Sequence, residues 1–235
     1  MNTIVITALV FGLQLFAQDA SKQPAPVTTT DQTDFAPGGL IRLTIPSSNL
    51  FVEGWDRPEL EITTIKSSRH ARCLDEVRVD TDRPSATEFA ISTTLPSRSF
   101  FARLFGFGCA ATVEQHVHAP RDSRLVIQHG AGYVMVSGIR GEIEATSRSG
   151  DIVLMLPGPG PYSIDAKSKF GSVSSDFAGT AHRKKVIGEQ FASANPPSSR
   201  RIYLRIGFGG ITIKEVPSTP EGNPGQRPLP IRRTF

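Results

Sequence analysis

The chain has 235 residues and a formal net charge of +4, with 38% hydrophobic and 20% charged residues. That length admits one large all-β unit or two small domains, and the apolar content suffices for strands that keep one face wet. Its 21 glycines and 18 prolines suit many short turns, yet stay below the level of a wholly disordered chain.

Residues 1–17 contain no charged side chain and are largely apolar from Ile4 to Phe16. The run is shorter than the ~20 apolar residues of a spanning helix, which predicts a signal peptide; a retained membrane anchor is the alternative. Export makes nucleic acid an improbable partner for a basic chain. An anionic envelope polymer or another envelope protein is expected instead, with membrane contact only at the surface. The basic residues are scattered, with short runs only at His182–Lys185, Arg200-Arg201 and Arg232-Arg233. A solvated basic surface is the plainer account of them.

Residues 18–37 are polar and rich in Thr, Gln and Pro, which predicts a flexible linker. Leu40–Ile45, Leu50–Glu53 and Glu59–Lys66 alternate as strands, separated by a Pro46–Asn49 turn and a Gly54–Pro58 corner. The stretch Asn49-Leu-Phe-Val-Glu-Gly-Trp-Asp-Arg-Pro-Glu-Leu-Glu-Ile62 resembles the opening strand pair of a bacterial adhesin-like family of unknown function, built from β-strand repeats. The later corners Gly141-Glu-Ile143 and Ser149-Gly-Asp-Ile-Val153 are similar to that family's repeats, and the likeness covers about residues 40 to 215. The resemblance implies an exported protein of β-solenoid-like fold with an adhesive or envelope role. It brings no catalytic residues with it.

Residues 67–125 are less regular, with strands expected at Glu76–Asp80, Glu88–Thr93 and Thr112–His118. Between the last two lies a segment carrying Phe100, Phe101, Phe105 and Phe107 beside Arg98 and Arg103. It reads as a lid over an unpaired end of the β core, or as an exposed wedge for a membrane surface or partner. Cys73 and Cys109 are the only two cysteines and flank this region, so in an exported chain they form a disulfide candidate.

From Arg124 to Lys169 short strands are broken by glycine turns. An apolar column recurs at Val134, Ile143, Ile152, Ile164 and Val173, in steps of nine, nine, twelve and nine residues. A glycine stands two residues before the first inward position of a unit at Gly132, Gly141, Gly150, Gly171 and Gly209. Two arrangements satisfy this period. One is a solenoid-like stack of strands with glycine corners; the other is an antiparallel meander. The turns lack Asn-Gly or Asp-Gly pairs, so the stack is expected for the second half, with the N-terminal part more antiparallel. Arg201–Ile206 and Ile211–Ile213 return to the strand pattern after a polar excursion. The overall expectation is an all-β chain with a single domain over residues 38–215 and a disordered, proline-rich tail over 216–235.

The chemistry-bearing residues are few. Glu114, His116 and His118 share one face of a predicted strand and could begin a metal site, but no second ligand set is apparent. His129 beside Gly130 reads as a turn residue. No Gly-x-Ser-x-Gly elbow occurs. Glu142 and Glu144 are the nearest approach to the paired carboxylates of a glycosidase, so a carbohydrate-active enzyme on a β-helix is one alternative to an exported non-catalytic interaction module, and a structural periplasmic envelope protein is the other. No cofactor is expected.

Overall fold

The computed structural model describes residues 24–95, 110–158, 160–183, 188–193 and 200–217. The chain forms β1 (Val27–Asp34), β2 (Leu40–Ile45), β3 (Asn49–Trp55), β4 (Glu59–Ser68), the short helix α1 (Arg72–Asp75), β5 (Arg78–Ser85), β6 (Glu88–Thr94) and β7 (Ala111–Pro120). It continues through β8 (Arg124–Ser137), β9 (Ile143–Gly158), β10 (Tyr162–Phe170), β11 (Val173–Ser175), β12 (Gly179–Arg183), β13 (Glu189–Ser193), β14 (Arg200–Phe208) and β15 (Ile211–Pro217). All fifteen strands belong to one large mixed sheet. The sheet is not closed, and its main path ends at β1 on one side and β12 on the other.

The central architecture is a set of bent, two-limbed rungs stacked in parallel. The first limbs place Phe89, Ile41, Leu125, Ile143, Ile202 and Ile164 side by side across β6, β2, β8, β9, β14 and β10. The second limbs align Gln115, Leu50, Val134, Ile152, Ile211 and Val173 across β7, β3, β8, β9, β15 and β11. Because successive strand residues face opposite ways, alternate side chains of both limbs enter one interior. Ile41, Leu50, Val134, Ile152, Leu154, Ile202 and Ile213 are all within 1% of full burial in a single apolar cluster.

The nine-residue step is therefore the distance across a rung's bend. It links Ile41 to Leu50, Leu125 to Val134, Ile143 to Ile152, Ile164 to Val173 and Ile202 to Ile211. The single apolar column expected from the sequence is two ladders: Ile143 and Ile164 lie in the first, Val134, Ile152 and Val173 in the second. The spatial order also departs from chain order, because β14 and β15 lie between β9 and the later-stacked β10 and β11. The meander arrangement is excluded for β8 and β9, which pair in parallel along both limbs.

The glycine corners have a steric cause. Gly132, Gly150, Gly209 and Gly171 sit at the bend with φ of 123°, 112°, 125° and 151°. A Cβ at Gly150 would lie 1.8 Å from the Gly132 carbonyl oxygen, and one at Gly209 would lie 1.7 Å from that of Gly150. The rungs can stack at β-sheet spacing only if this column lacks side chains. Gly141 belongs to a different corner, where the chain comes into the first limb of β9 and its Cβ would meet the Ser123 carbonyl oxygen at 2.1 Å.

The N-terminal part is mixed rather than simply antiparallel. β1 pairs antiparallel with β4, β4 with β7 and β5 with β6, while β2 and β3 run parallel to their neighbours. Val27–Asp34, read from sequence as part of a flexible linker, is an edge strand registered along β4 from Val27↔Lys66 to Asp34↔Glu59. Its Thr-rich, almost wholly exposed sequence gives no alternation, because an edge strand held by ladder bonds and exposed polar contacts such as Thr30–Thr63 and Gln32–Glu59 needs no apolar face. Phe35, in the same stretch, is 1% exposed and packs edge-on against Phe89. Residues 76 and 77, expected to open a strand, instead follow α1, and β5 begins at Arg78.

Candidate functional site

The outer face of the first limbs carries the candidate site. Strand alternation that buries Leu125, Ile143 and Ile202 turns Arg124, Val126, Glu142, Glu144, Arg201 and Tyr203 outward. The parallel register sets Arg42, Val126, Glu144, Tyr203 and Asp165 in one row across five strands. One row nearer the corner, Leu40 pairs with Arg124 and Arg201 with Ser163, with Glu142 between the two arginines. Leu40, Arg124, Val126, Glu142, Glu144, Arg201 and Tyr203 line an open groove of about 190 Å³.

Tyr203 is the fixed feature of the groove. The Arg205 guanidinium lies 3.9 Å from its ring centroid and that of Arg201 lies 5.2 Å away. Arg205 is itself held: it is ion-paired with the Asp165 carboxylate and donates to the main-chain oxygens of Asp165 and Leu204, each at 2.9 Å. Guanidinium faces on an aromatic ring are attractive and stiffen both partners. Glu142 and Glu144, the glycosidase candidates, do lie together in this groove, i and i+2 on one strand face, with carboxylate-bearing residues ~6–7 Å apart along the backbone. Both are exposed to water.

A second depression, of about 240 Å³, lies at the Gly54-Trp55-Asp56-Arg57-Pro58 corner. Gly54 is required there because a Cβ would lie 2.2 Å from the Gly138 carbonyl oxygen. Trp55 donates its indole N–H to the Glu59 carbonyl oxygen at 2.8 Å and stacks on His118 at 5.2 Å. The Arg57 guanidinium is 4.9 Å from the same indole ring. Arg121 donates from Nε to Asp56 Oδ1 at 2.7 Å, and its backbone N–H donates to the Trp55 carbonyl oxygen at 3.1 Å.

Glu114, His116 and His118 share the outer face of β7, as their spacing predicted. His116 lies 2.7 Å from Glu114 Oε1 and stacks on Phe51 at 4.8 Å. His118 lies 3.2 Å from Glu61 and 3.6 Å from Glu53 on its two separate ring nitrogens. That geometry spreads the carboxylates around the imidazole rather than converging on one point. No group of three or more metal-ligating side chains is placed to hold a metal ion among the described residues.

His129 is a buried ladder residue rather than the turn residue expected, paired with Ile45 and 6% exposed. Its Nε2–H donates to the Ser48 carbonyl oxygen at 2.9 Å, and Nδ1 lies 3.1 Å from Ser147 Oγ. Burial lowers its pKa below the ordinary histidine value, opposed by the bond to Ser48. Tyr162 is wholly buried with its hydroxyl donating to the Pro157 carbonyl oxygen at 2.8 Å. Burial raises its pKa, against the influence of Arg200.

Phe100, Phe101, Phe105, Phe107 and Cys109 lie outside the described residues, as do residues 1–23 and 218–235. β6 and β7, which bracket the Phe-rich segment, are the two limbs of the last parallel rung, where the others are joined by a tight bend. Cys73, on α1, is fully buried beside this end of the sheet. Sequence reasoning missed Tyr203 and the arginines around it, because they enter the groove from a strand some sixty residues beyond Glu142 whose place in the stack no local pattern reveals.

No protein-family profile and no curated protein matches this sequence. Among solved structures, a provisionally designated cell adhesion protein from Clostridium sporogenes aligns with 81% of this chain and 100% of its own, at 13% identity and a TM-score of 0.47. A provisionally designated adhesin from Parabacteroides distasonis aligns with 80% of this chain and 65% of its own, at 11% identity and a TM-score of 0.31. Another from Bacteroides fragilis covers 82% and 99%, at 10% identity and a TM-score of 0.23. At these values the likeness transfers no activity or ligand.

Proposed function

We propose that this chain is an exported, adhesin-like interaction module of the cell envelope, built as one solenoid-like β domain and acting by surface contact rather than catalysis. The observation that carries the reading is the outward groove of the first limbs. There an aromatic ring and charged side chains from neighbouring strands project from a backbone fixed by ladder hydrogen bonds. Enclosed small-molecule pockets commonly measure ~300–1,000 Å³. A shallow, solvent-open groove of about 190 Å³ on a broad strand face suits an extended partner better. The apolar N-terminal seventeen residues support export. The Cys73–Cys109 bridge belongs to the same reading, as does a partner-binding or capping role for Phe100, Phe101, Phe105 and Phe107.

Protease accessibility on intact cells, followed with antibody to the mature chain and a periplasmic control, tests the role. Digestion without lysis is the expected result for a surface adhesin. Protection until the outer barrier is opened would replace it with a periplasmic envelope role, and a cytoplasmic location would overturn both.

A further inference from the structure

We propose that β1 is a docking edge for β1 of a second copy of this chain, so that two molecules join by running one sheet into the other, a contact separate from the envelope role above. The end of the stack that carries the β6–β7 rung finishes in two edge strands. β5 lies one strand beyond β6, whereas β4 and then β1 lie two beyond β7. β1 therefore stands out past β5 by one strand spacing, ~4.8 Å. Among the described residues, no strand pairs with its outer side. The two edges also differ in build. β5 carries Arg78, Asp80, Asp82, Arg83 and Pro84, with a register shift between Asp82 and Ser85. Charges, proline and a bulge keep a sheet edge from pairing. β1 has no proline and no register shift over its eight residues, and no charge before Asp31.

The backbone register says which groups of β1 are on offer. The Phe35 N–H donates to the Pro58 carbonyl oxygen at 3.0 Å, directly across the β1–β4 register. Main-chain groups turn to alternate sides along a strand, so Thr29, Asp31 and Thr33 bond toward β4. Thr28, Thr30, Gln32 and Asp34 then present their N–H and C=O groups to the open side. The partner that matches such a row throughout is another extended strand. A second β1 matches it without opposing like charges. In an antiparallel, two-fold symmetric pair centred on Thr30, Thr28 meets Gln32, Thr30 meets Thr30 and Gln32 meets Thr28, each pair exchanging two hydrogen bonds. Asp31 then faces Thr29, and Asp34 lies beyond the bonded stretch. Centring on Asp31 would set that carboxylate against its own copy; centring on Gln32 would draw Asp31 and Asp34 of both chains into the contact. The joined stretch is short, so the dimer is weak and depends on concentration.

Sedimentation velocity of the purified mature chain over a wide concentration range tests this, and the expected result is a reversible doubling of mass. Thr30→Pro removes only an outward N–H and leaves every bond to β4 in place. It costs the dimer both bonds of the central pair and weakens association about thirtyfold, with urea unfolding of the monomer unchanged. Under mild oxidation Thr30→Cys gives a cross-linked dimer, because the two Cα atoms lie about 5.5 Å apart across the central pair. Thr28→Cys does not, its two Cα atoms being on the order of 14 Å apart. Should Thr30→Pro also lower the unfolding stability, the two cysteine variants decide. A chain that stays monomeric at every concentration, a mass that grows past the dimer, or a Thr30→Cys chain that cross-links no better than Thr28→Cys overturns the inference. The assay uses isolated protein, so its failure is distinct from failure of the envelope role, which is decided by accessibility on intact cells.

Discussion

Substituting Gly150 by alanine tests the stacking logic of the rungs most directly. Gly150 has φ of 112°, and an added Cβ would stand 1.8 Å from the Gly132 carbonyl oxygen. Ordinary contact is 3.4–4 Å, so neighbouring rungs must separate locally by about 1.5 Å, enough to break flanking ladder hydrogen bonds. Two such bonds contribute about 1 kcal/mol each, and holding alanine in a glycine-only backbone region costs about 1–3 kcal/mol. The expected loss is on the order of 3–5 kcal/mol. Gly38 is the internal control: its φ is also positive, at 80°, but nothing lies within 4 Å of the added Cβ. Gly38→Ala should therefore cost only the conformational part, about 1 kcal/mol. Urea unfolding followed by circular dichroism measures both, with unchanged m-values confirming that the same transition is compared. If the two variants lose the same stability, close approach of the rungs is not what selects glycine at this corner.

Three further outcomes follow from the packing and the buried groups. Ile152→Ala, in the second-limb ladder, should cost about 2–5 kcal/mol in the same assay, whereas Met135→Ala, on the outer face of the adjacent rung, should cost less than about 1 kcal/mol. His129 has a folded-state pKa below its unfolded value of 6.5, so the unfolded chain takes up the proton more readily. Its contribution is complete above pH 6.5 and is lost as the pH falls from there through the lowered native pKa; His129→Gln should flatten that part of the stability profile relative to the parent chain. Peptide mapping without reductant should recover Cys73 and Cys109 in one linked fragment, and Cys73→Ser should then lower stability by about 3–4 kcal/mol; separate peptides would refute the bridge.

The site was legible in pieces. Glu142 and Glu144 stood out as a carboxylate pair, and the Gly-Trp-Asp corner stood out as a motif, but neither revealed its neighbours. Arg121, which frames the corner, and Arg124 and Arg201, which frame the pair, belong to other rungs. Phe35 and β1 were missed for opposite reasons. Phe35 is a lone core residue in a polar stretch, and β1 is a strand held by backbone bonds along an edge, so neither leaves a periodic trace.

The amino-acid sequence by itself determined the class of structure, the inward face of each central strand and the places where only glycine would serve. Those follow from local rules: period-two alternation fixes a strand's buried side, and a nine-residue spacing fixes the length of chain from one limb to the next. Tertiary structure alone decided the order in which the rungs stack. Parallel ladders are made of backbone groups that every rung presents alike, so Ile143 could be followed in space by Ile164 as readily as by Ile202. The insertion of β14 and β15 between β9 and the β10–β11 rung is thus a decision of the whole fold, and it is the one that sets Tyr203 beside Glu144.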